Sequence, residues 1–300
     1  MALWNRHDDR LKERLFGLTN PQGNHGEDVK EYWWHLDATP THAWAQVLYR
    51  YPQAAYPYQD LVAENARRGR DEPEYELADT GVLAGDRFFD VVVTHAKASP
   101  ADVLVVIEAT NHGPDPAPLD LLPQLWFRNT WSWGHDSSKP TLHETKPCTD
   151  GKWAVCADHP TLGLYYLYGR HPAQPLYTEN ESNAERLWCG VNASPYVKDA
   201  FHRHVIEGDQ TAVNPAREGT KFAALHVLTV EPGQTATVGM TLSSEPLAQA
   251  FDRREVIFAK RESEATVFYD ELLPEASAQD HNILRQSLAG MIWSKQFFHY

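Results

Sequence analysis

The 300-residue chain reads as mainly β: an antiparallel β-sandwich followed by two C-terminal helices. Three observations carry that reading. Short β-branched and aromatic runs recur between residues 75 and 243, punctuated by Pro, Gly and Asn. The run Phe222 to Val230, the turn Glu231-Pro232-Gly233-Gln234 and the run Thr235 to Leu242 alternate with a period of two across a hairpin. Few helical patterns lie between these runs, which favours antiparallel pairing over crossover units.

The first stretch, Leu3 to Arg70, is aromatic-rich and broken by Pro21, Pro40, Pro52 and Pro57. Thr41 to Tyr51 and Tyr58 to Arg68 read as short helices. Gly17 to His25 reads as loop, with Asn20-Pro21 as a turn signal. Residues 24–70 are thus expected to form a helical and loop insert in the sandwich. Phe88 to Thr94, Val103 to Ala109, Leu119 to Phe127, Leu162 to Tyr168, Arg186 to Val191, Phe222 to Val230 and Thr235 to Leu242 read as strands. Leu247, Phe251, Phe258, Ala265, Phe268 and Leu272 then recur at helical spacings, with Pro246 suited to the first turn and Pro274 as the stop. Ser277 and Asp280 match a helix-start signal, and Leu284, Leu288, Met291 and Ile292 form one apolar face. The expected domains are a sandwich over 1–245, a linker helix over 246–275 and the start of a further helical domain over 276–300. The apolar ending, Trp293 to Tyr300, reads as a helix cut short, so the chain is expected to be a fragment of a longer protein.

Composition narrows the function classes. Lys and Arg number 27 against 41 Asp and Glu, a formal charge of −14, so nucleic acid is not an expected partner. Ten Trp, 13 Tyr and 11 Phe supply a large core and argue against disorder. No apolar run approaches the ~20 residues that span a bilayer, so no membrane partner is expected. The start lacks the apolar segment of a signal peptide. Three cysteines, an odd number with no C-x-x-C, fit a reducing compartment, and a cytoplasmic location is expected.

Candidate chemistry is sparse. His135-Asp136, His143-Glu144 and His202-x-His204 near Glu207 are the metal-like patterns; on a strand, H-x-H would put both imidazoles on one face. No third ligand at good spacing is visible, so neither metal nor cofactor is expected. There is no G-x-S-x-G, no P-loop and no G-x-G-x-x-G, and Cys156 and Cys189 read as packed thiols. Carboxylates beside flat aromatics are the stronger signal. Glu31 adjoins Tyr32-Trp33-Trp34, and Asp60 follows Tyr58. Sugar sites stack such rings on the apolar face of a pyranose while acids bind its hydroxyls, so Trp33, Trp34, Tyr58 and Asp60 are candidate substrate contacts. Trp126, Trp131 and Trp133 fall within eight residues, more than one strand face can bury, and read as a domain interface.

Several segments resemble a known family. Leu11 to Leu18, Gly23 to Glu31, Tyr51 to Tyr58, Leu125 to Trp133 and Met291 to Tyr300 resemble, in order, bacterial members of glycoside hydrolase family 63, the family of processing α-glucosidase I. The resemblance implies an N-terminal super-sandwich, a linker helix and an (α/α)6 barrel whose first helix begins near residue 276. It implies inverting hydrolysis of α-glucosidic bonds by an Asp acid and a Glu base in the barrel, beyond Tyr300, so that no catalytic residue lies in this chain. It implies an oligosaccharide substrate, the protein's own C-terminal barrel as partner, Phe297 at the sandwich–barrel junction, and Trp293, Gln296 and Tyr300 beside the sugar. A freestanding carbohydrate-binding sandwich using Trp33, Trp34 and Tyr58 is the alternative, and a metalloenzyme built on His202 and His204 is a third reading.

Overall fold

In the computed structural model, the described residues are 1–13, 31–132, 134 and 138–294. In chain order the strands are β1 (Ala2–Trp4), β2 (Tyr32–Ala38), β3 (Trp44–Pro52), β4 (Phe88–Ser99), β5 (Asp102–Asn111), β6 (Ala117–Leu122), β7 (Gln124–Trp126), β8 (Thr141–Thr145), β9 (Trp153–His159), β10 (Gly163–Gly169), β11 (Gln174–Thr178), β12 (Glu218–Gly219), β13 (Lys221–Val230) and β14 (Thr235–Ser243). The α-helices are α1 (Tyr58–Arg67), α2 (Ala184–Trp188), α3 (Ala200–Ile206), α4 (Arg254–Leu272) and α5 (Ala278–Ser294).

The strands form two antiparallel sheets. The larger runs β12-β8-β9-β10-β14-β5-β4-β3-β2, and the smaller runs β1-β6-β13-β11, with β7 also paired to β13. Alternation decides which side chains meet between them. Val47, Tyr49 and Tyr51 on β3, Phe89, Val91 and Val93 on β4, and Ile107 and Ala109 on β5 pack against Leu119 and Leu121 of β6 and Phe222 and Ala224 of β13. Leu122, Leu176, Ala223 and Leu225, on the other face of the small sheet, are covered by Phe201 of α3. The mainly β, sandwich-like class expected from the sequence is therefore what the chain forms. Both strands predicted around the turn at 231–234 form, as β13 and β14, but they do not pair as the expected hairpin: β13 joins the small sheet and β14 the large one, so the turn carries the chain from one sheet to the other. Trp153 lies across Gly169, its partner in the β9–β10 register. A Cβ there would come within 1.9 Å of the indole, so only Gly fits.

Four expectations are corrected. Thr41 to Tyr51 is not a helix: Trp44–Pro52 is a strand held between β2 and β4. Its Ala45, Val47, Tyr49 and Tyr51 are buried at period two, a pattern a helix cannot satisfy. Residues 32–52 are thus part of the large sheet rather than of an insert, and α1 supplies the helical portion. Arg186 to Val191 is not a strand, because Asn183 caps α2 by accepting from the Arg186 N–H and Cys189 closes it in the left-handed region. Pro246 does not open the linker helix, which begins at Arg254. Asp150 captures the backbone N–H groups of Ala250 and Phe251 at 2.8 and 2.9 Å and holds the chain in a non-helical turn. Finally, His202 and His204 lie on α3, where residues two apart diverge instead of sharing a face.

α4 buries Ala265 and Tyr269 and packs Phe258 edge-on against Trp44 at 6.1 Å. α5 starts as expected: the Ser277 hydroxyl accepts from the Asp280 N–H and donates to its carboxylate. It then packs Ala289 and Ile292 onto Ala38 and Ala45 at the β2 edge.

Candidate functional site

β2 has a bulge between His35 and Asp37, which re-aims the strand where α5 arrives. Arg285 of α5 donates to the buried Asp37 carboxylate, and the same oxygen accepts from the Trp44 indole at 2.9 Å. Arg285 also donates to Thr266 at 3.2 Å, and the Tyr269 hydroxyl donates to the Ala38 carbonyl. These bonds fix α5 so that Trp293 sits at the edge of the sheet. Its ring stacks on His35 at 5.6 Å and 20° and lies 6.3 Å from His95.

Behind Trp293, a cleft of about 450 Å³ opens between the two sheets. Val47, Val93, Val105, Ile107 and Met240 line one wall, and Pro123, Gln124 and Leu125 line the other. Trp33, His95, Trp293, Glu13 and Met1 also border it. A second space of about 260 Å³ shares Val103, Leu125 and Leu242 with the first and continues toward Phe127 and Leu162. Polar groups are few. The Nδ1 atoms of His35 and His95 are shut off from solvent and have no hydrogen-bond partner among the described residues. Burial, reinforced by the nearby Met1 ammonium, depresses His95 to about 4, so its imidazole is neutral at pH 7. Burial lowers His35 as well.

A second buried polar group lies one strand row away. Lys12 pairs with Glu31, both side chains being almost fully buried. The Tyr49 hydroxyl donates to the other Glu31 oxygen. Tyr51 and Tyr58 donate to Asp8 at 3.2 and 3.3 Å. The Lys12 ammonium lies 3.6 Å from the Tyr56 ring centroid and 4.4 Å from that of Tyr58. Burial raises Asp8 to about 6 despite the opposing charge of Lys12.

The residues singled out in the sequence are scattered. Adjacent on β2, Trp33 and Trp34 point to opposite faces: Trp33 packs on Tyr49 at 6.1 Å, while Trp34 is exposed beside Tyr32 and Arg50. Tyr58 is buried under Arg10, and Asp60 accepts from the Tyr75 hydroxyl at 3.0 Å. Trp33, Trp34 and Tyr58 therefore do not make one flat platform. Only Trp33 and Trp293 among them meet at a common cleft. Trp126 is half exposed on β7, and Trp131 donates its indole N–H to Glu181 at 2.8 Å. Trp133, Gln296, Phe297, Tyr300 and the His135-Asp136 pair lie outside the described residues. Glu144 pairs with Arg217. Among the described residues no group of three or more His, Cys, Asp or Glu could hold a metal. Sequence reasoning missed His35 and His95. Both alternate with apolar neighbours in strands, a pattern visible in His35-Leu36 and Val93-Thr94-His95, but only pairing places them together.

No family model matches the chain. It is 36% identical, over 343 aligned positions, to the uncharacterized protein YMR196W of Saccharomyces cerevisiae. That alignment takes in the whole chain and 32% of the yeast protein, so the chain spans about a third of the length of that relative. Among solved structures it is similar to a protein described as a kojibiose phosphorylase from the human microbiome, at 8% identity and a TM-score of 0.33 over 84% of this chain and 23% of the other. A polysaccharide lyase gives 11% and 0.35 over 77% of this chain and 27% of the other. A protein described as an aldose 1-epimerase of Escherichia coli gives 10% and 0.33 over 77% and 75%. At these scores the likeness carries no argument about function.

Proposed function

We propose that the chain is a non-catalytic β-sandwich and linker portion of a family 63-like α-glucosidase. In this reading the intact protein hydrolyses α-glucosidic bonds of an oligosaccharide with inversion, the carboxylate pair being supplied by an (α/α)6 barrel. The sandwich holds that barrel in place. One observation supports the reading beyond the sequence resemblance: the helical pair carries large apolar side chains among the charged ones on its solvent side. α4 and α5 bury Ala265, Tyr269 and Ala289 against the large sheet, yet Val256, Val267, Ile283 and Met291 face outward at 54–70% exposure. Large apolar side chains left on the outer face of a helix pair are what a further packed layer would cover. Trp126 and Trp131 belong to the sandwich side of the proposed junction, and Trp293 borders the proposed sugar site. The acidic chain needs no nucleic acid, metal or cofactor for this role, and it belongs in the cytoplasm.

The test compares two proteins on maltose, kojibiose, nigerose and aryl α-glucosides. The 300-residue chain should give no turnover, because both proton transfers need the absent carboxylates. A longer natural protein containing it should release β-glucose, read by NMR before mutarotation. Sustained turnover by the 300-residue chain, or an inactive longer protein, would reject the proposal.

A further inference from the structure

We propose that the inter-sheet cleft is a binding site for an uncharged, linear amphiphile: an alkyl chain carrying a hydroxyl head, as in a fatty alcohol or the apolar aglycone of a glycoside. This goes beyond the glucosidase reading and does not depend on it. Three observations converge on this ligand class.

The first is shape. Two spaces, about 450 and 260 Å³, adjoin at Val103, Leu125 and Leu242, so a flexible chain in the first has room to extend toward the second. The larger falls within the size range of small-molecule sites. The second is the lining. Val93, Val105, Ile107, Met240 and Leu242 present hydrocarbon and no hydrogen-bonding group, so water gains little there and an alkyl chain gains its transfer free energy. A sugar ring in that cleft would lose the hydration of its hydroxyls without replacement. The third is polarity at the Trp293 end. His95 borders the cleft with its Nδ1 buried and unpartnered, a cost that proteins rarely leave uncompensated. A neutral imidazole can donate to, or accept from, a hydroxyl, whichever its tautomer requires. The carboxylate at the rim is already committed: Glu13 accepts from Lys221 and Gln124 at 2.8 Å each. An ammonium head would therefore find its counter-ion taken, and a charged head of either sign would lose its hydration against the apolar walls.

The probes are 1-octanol, octanoate, octylammonium and glucose, titrated into the 300-residue chain at pH 8 by calorimetry and tryptophan fluorescence. 1-Octanol should bind saturably at one site, with a negative heat-capacity change. Octanoate and octylammonium should bind at least ~10-fold more weakly, and glucose should not compete. Val105→Phe and, separately, Leu242→Phe fill the cleft. Each should weaken 1-octanol at least ~10-fold, provided the circular dichroism of that variant is unchanged. Two variants are used so that one poorly folding protein does not decide the matter. His95→Leu should weaken 1-octanol by ~3- to 10-fold while leaving the cleft open. Absence of saturable 1-octanol binding, equal affinity for a charged analogue, competition by glucose, or undiminished binding in both folded Phe variants would each overturn the assignment.

Discussion

The two buried polar regions beside Tyr49 are built in opposite ways. Around Asp8, Lys12 and Glu31, every carboxylate has a donor. Tyr49, Tyr51 and Tyr58 give their hydroxyl protons, and Lys12 pairs with Glu31 and lies over two rings. At the cleft, the His95 Nδ1 has no partner among the described residues, and the lining around it is mostly hydrocarbon. A saturated network has nothing left to offer a ligand, and its role is to fix the loop at residues 5–12 to β3 and α1. An unsaturated site keeps its hydrogen-bonding capacity for something else. The richer cluster of titratable groups is thus the structural one, and the poorer cluster is the candidate for binding.

The largest expected effect breaks the saturated side. Lys12→Met leaves Glu31 as a buried charge without its cation and should cost ~3–5 kcal/mol, measured by urea unfolding. Adding Glu31→Gln should recover part of that loss. A single-variant cost below about 1 kcal/mol would mean that the network contributes little.

The two regions should respond to pH with opposite sign. His95 falls from 6.5 to about 4 on folding. Its stabilising contribution is complete above pH 6.5 and is lost as the pH falls toward 4, a change of up to ~3 kcal/mol. Asp8 rises from 3.8 to about 6. The folded state holds that proton more tightly, so its contribution is greatest below pH 3.8 and declines, by up to ~3 kcal/mol, as the pH climbs to 6. His95→Leu should reduce the acid sensitivity of the melting temperature, and Asp8→Asn should remove an opposing slope over the same window. If both variants shift the profile in the same direction, the contrast between the regions fails.

A smaller effect tests how the cleft is closed. Arg285→Met removes the cation from Asp37, whose other donor is Trp44. The variant should lose ~1–3 kcal/mol and speed hydrogen exchange in α5 more than in β3. Uniform acceleration would mean that α5 is not separately anchored. The smallest effect separates the two neighbours on β2. Trp34→Ala should cost about 1 kcal/mol, since its ring is 38% exposed yet still lies against Tyr32 and Arg50, whereas Trp33→Ala should cost several times more.

Much of the sandwich was legible because its strands obey a period of two: β4, β5, β13 and β14 all extend the runs read from the sequence. β3 was misread because Ala45, Leu48 and Tyr51 also satisfy a helical spacing, and only burial between two neighbours separates the two periods. The residues 246–253 failed differently. Their helical spacing is real, but the Asp150 carboxylate, a hundred positions away, competes for the backbone N–H groups. For the candidate site, Trp33 and Trp293 stood out by residue type. His35 and His95 did not, because their significance is an absence of partners and no local pattern records it. Tyr58 and Asp60 were attractive for the same residue types, yet their neighbours consume them.

The position of β14 has a consequence for synthesis. Apart from the two-residue β12 at its edge, the large sheet consists of two meanders, β2–β5 and β8–β10, and of β14, which pairs with β5 on one side and β10 on the other. As the polypeptide leaves the ribosome, each meander can assemble as soon as it emerges. Each then presents a bare row of amide and carbonyl groups, on β5 and on β10, until residues 235–243 arrive. Those two rows are templates for foreign strands as well as for the native one. The strand that completes the sheet is therefore a late keystone. Chains released before residue 235 should be caught by chaperones or aggregate, while chains a few residues past Ser243 should not.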